Sequence, residues 1–246
     1  MPGVVADRII AADGYGLLVA YDRFTGQPVW QQQFDAVERS GFSIAGLLDR
    51  RDPAFVSGGV GIGAGMVLVG TTHGEVIALD VADGSERWRS RVGTEVGAAP
   101  TAGAGKVFVQ TIDDRVSALD ADSGDLVWTY DSQMPLLTLR GTSAPVFDQG
   151  VLYTGFANGK VVALRGENGE PIWEQRVMLP EGRSELDRIV DVDARVLLDG
   201  GSMYALAYQG RVVAISRREG RPMWEQELSG YCLLYTSPSP RDSFRS

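Results

Sequence analysis

Cysteine and histidine are almost absent from this chain, each occurring once in 246 residues. A single thiol forms no internal disulfide and no cysteine-based metal centre. A single imidazole leaves little material for hydrolytic triads or zinc sites. No apolar run approaches the ~18 residues of a membrane-spanning helix. Basic residues are outnumbered, with 23 Lys and Arg against 32 Asp and Glu, for a net charge of −9. That balance argues against nucleic acid, whose phosphates demand basic clusters, and against an anionic membrane surface as the main partner. Acidity otherwise speaks mostly to solubility. Met1-Pro2-Gly3 leads into a strand pattern without a recognisable signal peptide. What the chain does have in quantity is glycine, 31 residues, as turn-rich β folds require.

The glycines belong to a repeat. An alanine is followed by a glycine at a fixed offset and then by a tryptophan, and the copies are Ala20-Gly26-Trp30, Ala78-Gly84-Trp88, Ala118-Gly124-Trp128, Ala163-Gly169-Trp173 and Ala214-Gly220-Trp224. All 5 tryptophans are used. A rigid internal spacing inside units of variable length marks a repeat architecture.

Each copy opens on a short apolar run, such as Val76-Ile77-Ala78-Leu79 or Val161-Val162-Ala163-Leu164. A turn follows, Ala82-Asp83-Gly84 or Asp122-Ser123-Gly124, and then a short strand ending in the tryptophan. Two apolar runs joined by an Asx-Gly turn signal a hairpin. Upstream lies another strand, Lys106 to Thr111 or Val151 to Gly155, and a weaker leading one near Ala98 to Thr101 or Ser143 to Val146. Four short strands per unit predict an all-β propeller built of four-stranded blades. The interval between tryptophans is shortest from Trp88 to Trp128, a bare blade. The longer intervals carry insertions, which repeat folds place in loops, often on the binding face.

The tryptophans are assigned to packing. A buried Trp removes about 150–250 Å² from water, or about 4–6 kcal/mol gross. The small alanine and glycine are expected to make room for the ring between neighbouring blades.

Other candidate motifs read as structure. Gly58 to Gly65 fits neither dinucleotide nor phosphate-loop spacing, and is read as a flexible turn before strand Met66 to Val69. Gly103-Ala104-Gly105-Lys106 lacks the Ser or Thr of a phosphate loop. His73-Gly74-Glu75 lacks the cysteine partner of a zinc deaminase, so His73 is placed in a blade turn. Two segments carry residues that the repeat does not require: Met134 to Gly141, and Gly182 to Asp193. Both follow a tryptophan and precede the next blade. Leu137 and Leu139 share a strand face, as core or, beside Arg140, as an interaction hot spot. Asp191 and Asp193 also share a face, as a solvated edge with calcium as the alternative.

Both ends look abrupt. Met1 is read as falling inside the first blade. Cys232 to Ser243 breaks the periodicity and resembles a translated sequencing-adapter read-through. Residues 1–231 are therefore expected to form a partial propeller, about five blades of eight, and 232–246 a non-native tail.

At the two extra segments a resemblance becomes specific. Met134-Pro135 with Leu139-Arg140-Gly141 and Ser143-Ala144-Pro145, Ser184 to Arg188 with Asp191-Val192-Asp193, and Ser57 to Gly61 resemble the BamB family of outer-membrane protein assembly factors. The resemblance runs from about Pro2 to Tyr231. The blade repeat by itself matches PQQ-like propellers widely, whereas the two loop motifs are more selective.

The resemblance implies an eight-bladed propeller, without catalysis and without a cofactor, lipid-anchored at the periplasmic face of the outer membrane. It implies loops that bind the periplasmic domains of the barrel-forming subunit BamA, with unfolded outer-membrane proteins as further partners. The matching positions are Leu137, Leu139 and Arg140 on one loop and Asp187, Arg188, Asp191 and Asp193 on the other. Arg140 would make charge-assisted bonds. The lipobox cysteine, the signal peptide and the last blades of that family have no counterpart in this sequence. The rival readings are a PQQ-dependent quinoprotein dehydrogenase, which shares the tryptophan blades but typically has a vicinal cysteine pair, and a ligand-binding propeller.

Overall fold

A computed structural model describes residues 3–13, 16–34, 56–132, 142–178, 192, 194–207 and 211–227. The described residues form five four-stranded antiparallel sheets, each continuous in sequence order. The first holds β1 (Gly3–Val5), β2 (Arg8–Ala12), β3 (Leu17–Asp22) and β4 (Pro28–Gln33). The second holds β5 (Val56–Gly63), β6 (Met66–Thr71), β7 (Glu75–Asp80) and β8 (Glu86–Arg91). The third holds β9 (Thr101–Gly103), β10 (Lys106–Gln110), β11 (Arg115–Asp120) and β12 (Leu126–Asp131). The fourth holds β13 (Val146–Asp148), β14 (Val151–Gly155), β15 (Lys160–Arg165) and β16 (Pro171–Arg176). The fifth holds β17 (Leu197–Asp199), β18 (Ser202–Ala207), β19 (Arg211–Ser216) and β20 (Pro222–Glu227). These are propeller blades, as the repeat predicts.

The two middle strands of each blade carry the core. Every residue of β6 is buried, as are the central four of β7, β11 and β15. Blades stacked on both faces explain why these strands read as continuous apolar runs rather than alternating ones. The outer strands β8 and β12 alternate instead, with only Trp88 and Trp128 buried.

The repeat residues form one inter-blade joint. In each blade the alanine pairs with its own tryptophan, as Ala78 with Trp88 and Ala118 with Trp128, and a register shift follows the alanine. The indole then crosses to the next blade. Trp30 Nε1 donates to Val81 O at 3.1 Å, Trp88 to Ala121 O at 2.8 Å, Trp128 to Gly166 O at 3.2 Å and Trp173 to Arg217 O at 2.9 Å. The ring lies against the next blade's repeat glycine, where a Cβ on Gly124 would sit 2.7 Å from the Trp88 ring and one on Gly169 2.5 Å from Trp128. The tryptophan thus uses its own blade's alanine and its neighbour's glycine. Trp224 has no described blade beyond it and is 46% exposed.

Three expectations are corrected. In the first sheet, β1 adds an inner strand of three residues, too short to show periodicity. The leading strands start later than read, at Thr101 and Val146, immediately after Pro100 and Pro145. Proline has no N–H for the ladder. The outer strands continue beyond the tryptophan rather than ending on it, because Asp131 still pairs with Arg115. Gly58 to Gly63 is not a flexible turn but part of inner strand β5, bulged between Val56 and Val60. Its glycines permit close approach to the next blade: a Cβ on Gly61 would lie 2.0 Å from Pro100 O, and one on Gly63 2.7 Å from Ala102 Cβ. His73 lies exposed in the β6–β7 turn, as expected.

Candidate functional site

Antiparallel order places two kinds of connection on one face of the fold. Turns from the second to the third strand of each blade end there, as do the connections from an outer strand to the next inner strand. The β8–β9 connection is described throughout and shows the fastening. Val92 N–H donates to Gly74 O at 2.8 Å, Val96 N–H to Thr71 O at 3.1 Å, and Ile112 N–H to Glu95 O at 3.0 Å. This connection is therefore tied to the turns of both blades it joins.

In chain order, the two segments singled out in the sequence fall within the next two such connections, β12–β13 and β16–β17. The first leaves β12 at Ser132, whose N–H donates to Asp114 O at 3.0 Å and whose Oγ accepts from Asn158 Nδ2 at 2.9 Å. It returns at Thr142 and Ser143. The second leaves β16 through Val177, whose N–H donates to Gly159 O at 2.8 Å. It returns at Val192, fully buried, whose N–H donates to Phe156 O at 3.2 Å. That bond is the counterpart of the one from Val96 to Thr71.

A line of hydroxyls joins these roots along the inner rim. Ser57 Oγ donates to Val96 O at 2.7 Å, Thr101 Oγ1 to Pro145 O at 2.6 Å and Ser143 Oγ to Ala194 O at 3.1 Å. Beneath them, Asp114 is 2% exposed with φ of 58°, and its carboxylate accepts the Ala157 N–H from the adjoining blade at 3.2 Å. Buried Gln110 donates to Gly155 O at 2.9 Å and accepts from the Thr154 hydroxyl. Near the outer rim, Tyr130 OH donates to Glu174 Oε1 at 2.8 Å and Lys160 reaches Glu174 Oε2 at 3.1 Å. The tyrosine hydroxyl, then Lys160, holds the Glu174 carboxyl below its usual range. Burial and Glu174 push the Tyr130 phenol up.

Leu137, Leu139, Arg140, Asp187, Arg188, Asp191 and Asp193 all lie outside the described residues. What the structure brings together is their roots, since Ser143 follows the first segment and Ala194 the second. Asp114, Ser132 and Asn158 carry no periodic signal beyond that of turn residues. Their cross-blade bonds become visible only in three dimensions. Among the described residues, no group of three or more His, Cys, Asp or Glu side chains gathers as metal ligands would.

The family model described as "Outer membrane protein assembly factor BamB" matches residues 38–242. The chain is 46% identical over 230 residues to the BamB protein of Pseudomonas aeruginosa, covering 94% of this chain and 56% of that protein. It is 41% identical over 229 residues to that of Xanthomonas campestris pv. campestris, covering 93% and 54%, and 38% identical over 227 residues to that of Escherichia coli K12, covering 92% and 56%. The chain thus spans about half the length of the curated relatives it matches. The crystal structure of BamB from Moraxella catarrhalis superposes with a TM-score of 0.80 at 30% identity, covering 93% of this chain and 64% of that one. A europium-containing methanol dehydrogenase superposes at 0.70 with 18% identity, covering 92% and 50%. At that identity the likeness is one of fold alone.

Proposed function

The chain belongs to the outer membrane protein assembly factor BamB family, and from that premise we propose that it is part of a non-catalytic scaffold subunit of the outer-membrane β-barrel assembly machinery. Its loop-bearing face binds the periplasmic domains of BamA and so aids folding and insertion of outer-membrane proteins. In the complete protein a lipid anchor holds it at the periplasmic face of the outer membrane.

The observation that carries this reading is the convergence of the two loop roots. Ser143 and Ala194 are hydrogen-bonded to each other across blades, so segments far apart in sequence leave the same part of one face. Leu137 and Leu139 would supply an apolar anchor and Arg140 charge-assisted bonds to carbonyl or carboxylate groups. Asp187, Arg188, Asp191 and Asp193 would supply the polar rim that surrounds such an anchor.

The test is capture of the purified chain on immobilised BamA periplasmic domains. A variant with Leu137, Leu139, Arg140, Asp191 and Asp193 changed to alanine serves as comparison. Capture of the native chain, lost in a variant with an unchanged thermal transition, is expected. A folded native chain that is not captured would overturn the assignment. Pyrroloquinoline quinone and calcium, added with an alcohol and a dye acceptor, are expected to give no turnover. Cofactor-dependent dye reduction would favour the dehydrogenase reading.

A further inference from the structure

The proposed surface is split between two segments that enter adjoining blades, and a split surface binds well only when its halves keep a fixed relation. We infer that Ser143 is a positioning residue that locks the two loop roots together, so that both loops act as one surface. The inference rests on the proposed function and deepens it.

Ser143 is 1% exposed. Its hydroxyl donates to the carbonyl of Ala194 at 3.1 Å, so the bond passes from the end of one loop segment to the end of the other. Each root is also held from behind. Thr142 is pressed on the preceding connection so closely that a Cβ at Gly97 would lie 1.8 Å from its Oγ1. Val192 is fully buried, and a Cβ at Gly155 would lie 2.5 Å from its Cγ1. With the roots joined, their mutual position need not be fixed when a partner binds, and such ordering weakens affinity. Ser57 makes the same kind of bond two blades earlier along the rim, to Val96 O, but joins neither loop to the other. It is therefore the matched control.

Residues that act in one coupled network show non-additive effects, whereas independent sites add. The experiment measures affinity of the full chain for BamA periplasmic domains. Leu139→Ala, Asp191→Ala and the double variant are placed in the native, Ser143→Ala and Ser57→Ala backgrounds. In the native background the double variant is expected to depart from the product of the single effects by about threefold or more. With Ser143→Ala the departure is expected to fall within about twofold, the range of independent sites. Ser57→Ala is expected to retain it, although it removes an equivalent bond. A general loss of structure would move both backgrounds alike. Should Ser143→Ala lose its thermal transition, Ser143→Cys, similar in shape but a weak donor, makes the same comparison. Unchanged coupling in the Ser143 variants, or additivity already in the native background, overturns the inference while leaving the proposed function standing. Failure of the native chain to bind overturns both.

Discussion

A tryptophan in this fold has two neighbours to satisfy, its own blade's alanine and the next blade's glycine. The spacing in the sequence shows the three residue types together. It does not show that the glycine a ring rests on comes from the following copy, because periodicity is blind to which copy meets which. The structure separates the five rings by what covers them. Trp128 is buried, rests on Gly169 and donates to Gly166 O. Trp224 is 46% exposed. Trp128→Ala is expected to cost about 3–5 kcal/mol, as large-to-small core changes do, and Trp224→Ala under about 1 kcal/mol. Urea midpoints of the two variants give the comparison, and equal losses would contradict it. The glycines divide likewise. Gly124 and Gly105 both have positive φ, 77° and 71°. A Cβ at Gly124 would meet Ser90 Oγ at 2.6 Å and the Trp88 ring at 2.7 Å, whereas one at Gly105 would meet nothing within 4 Å. Gly124→Ala is therefore expected to destabilise by at least about 1 kcal/mol more than Gly105→Ala, the excess being overpacking. Equal melting temperatures would remove the glycine's packing role.

The hairpin that ends each blade is the element most legible in the sequence, because its turn is closed by local bonds. Asp120 Oδ1 accepts the N–H groups of Asp122 and Ser123, both at 3.0 Å, and Asp120 O accepts from Gly124 at 2.9 Å. Asp80 and Asp22 hold their turns in the same way. The backbone N–H of Ser123, then that of Asp122, keeps the Asp120 carboxyl below the ordinary carboxylate range. A carboxyl lowered in the folded state stabilises above its unfolded value, about 3.9, and that stabilisation is lost as pH falls through the folded value. Asp120→Asn keeps an acceptor oxygen but does not titrate. The advantage of the native chain over this variant is thus expected to be full at pH 7 and reduced at pH 3. Urea midpoints at both pH values test this, and an equal gap at both would refute it. The inner strands were the least legible elements. β9 and β13 have three residues each, too few for a periodic signal, and β5 is disguised by glycines that local rules assign to turns. Those glycines answer to the neighbouring blade, which no local rule contains.

At the scale of the whole molecule, the five described blades are fixed in sequence order by the same indole-to-carbonyl joint, and that order aligns the ends of their connections on one face. Binding by that face, and its loss when both loops are altered, is the prediction that belongs to this scale. The chain's own sequence determined the blade and the number of blade repeats. Each rests on spacing within a strand or hairpin, where the chain itself supplies both partners. It also marked the two loop segments as residues the repeat does not need, and their motifs carried the family. Tertiary structure decided which blade's glycine receives each ring, where the inner strands begin, and that Ser143 and Ala194 join the roots of the two loops. These are meetings between residues tens of positions apart, made by the stacking of blades, and a one-dimensional pattern holds no distance between its own repeats.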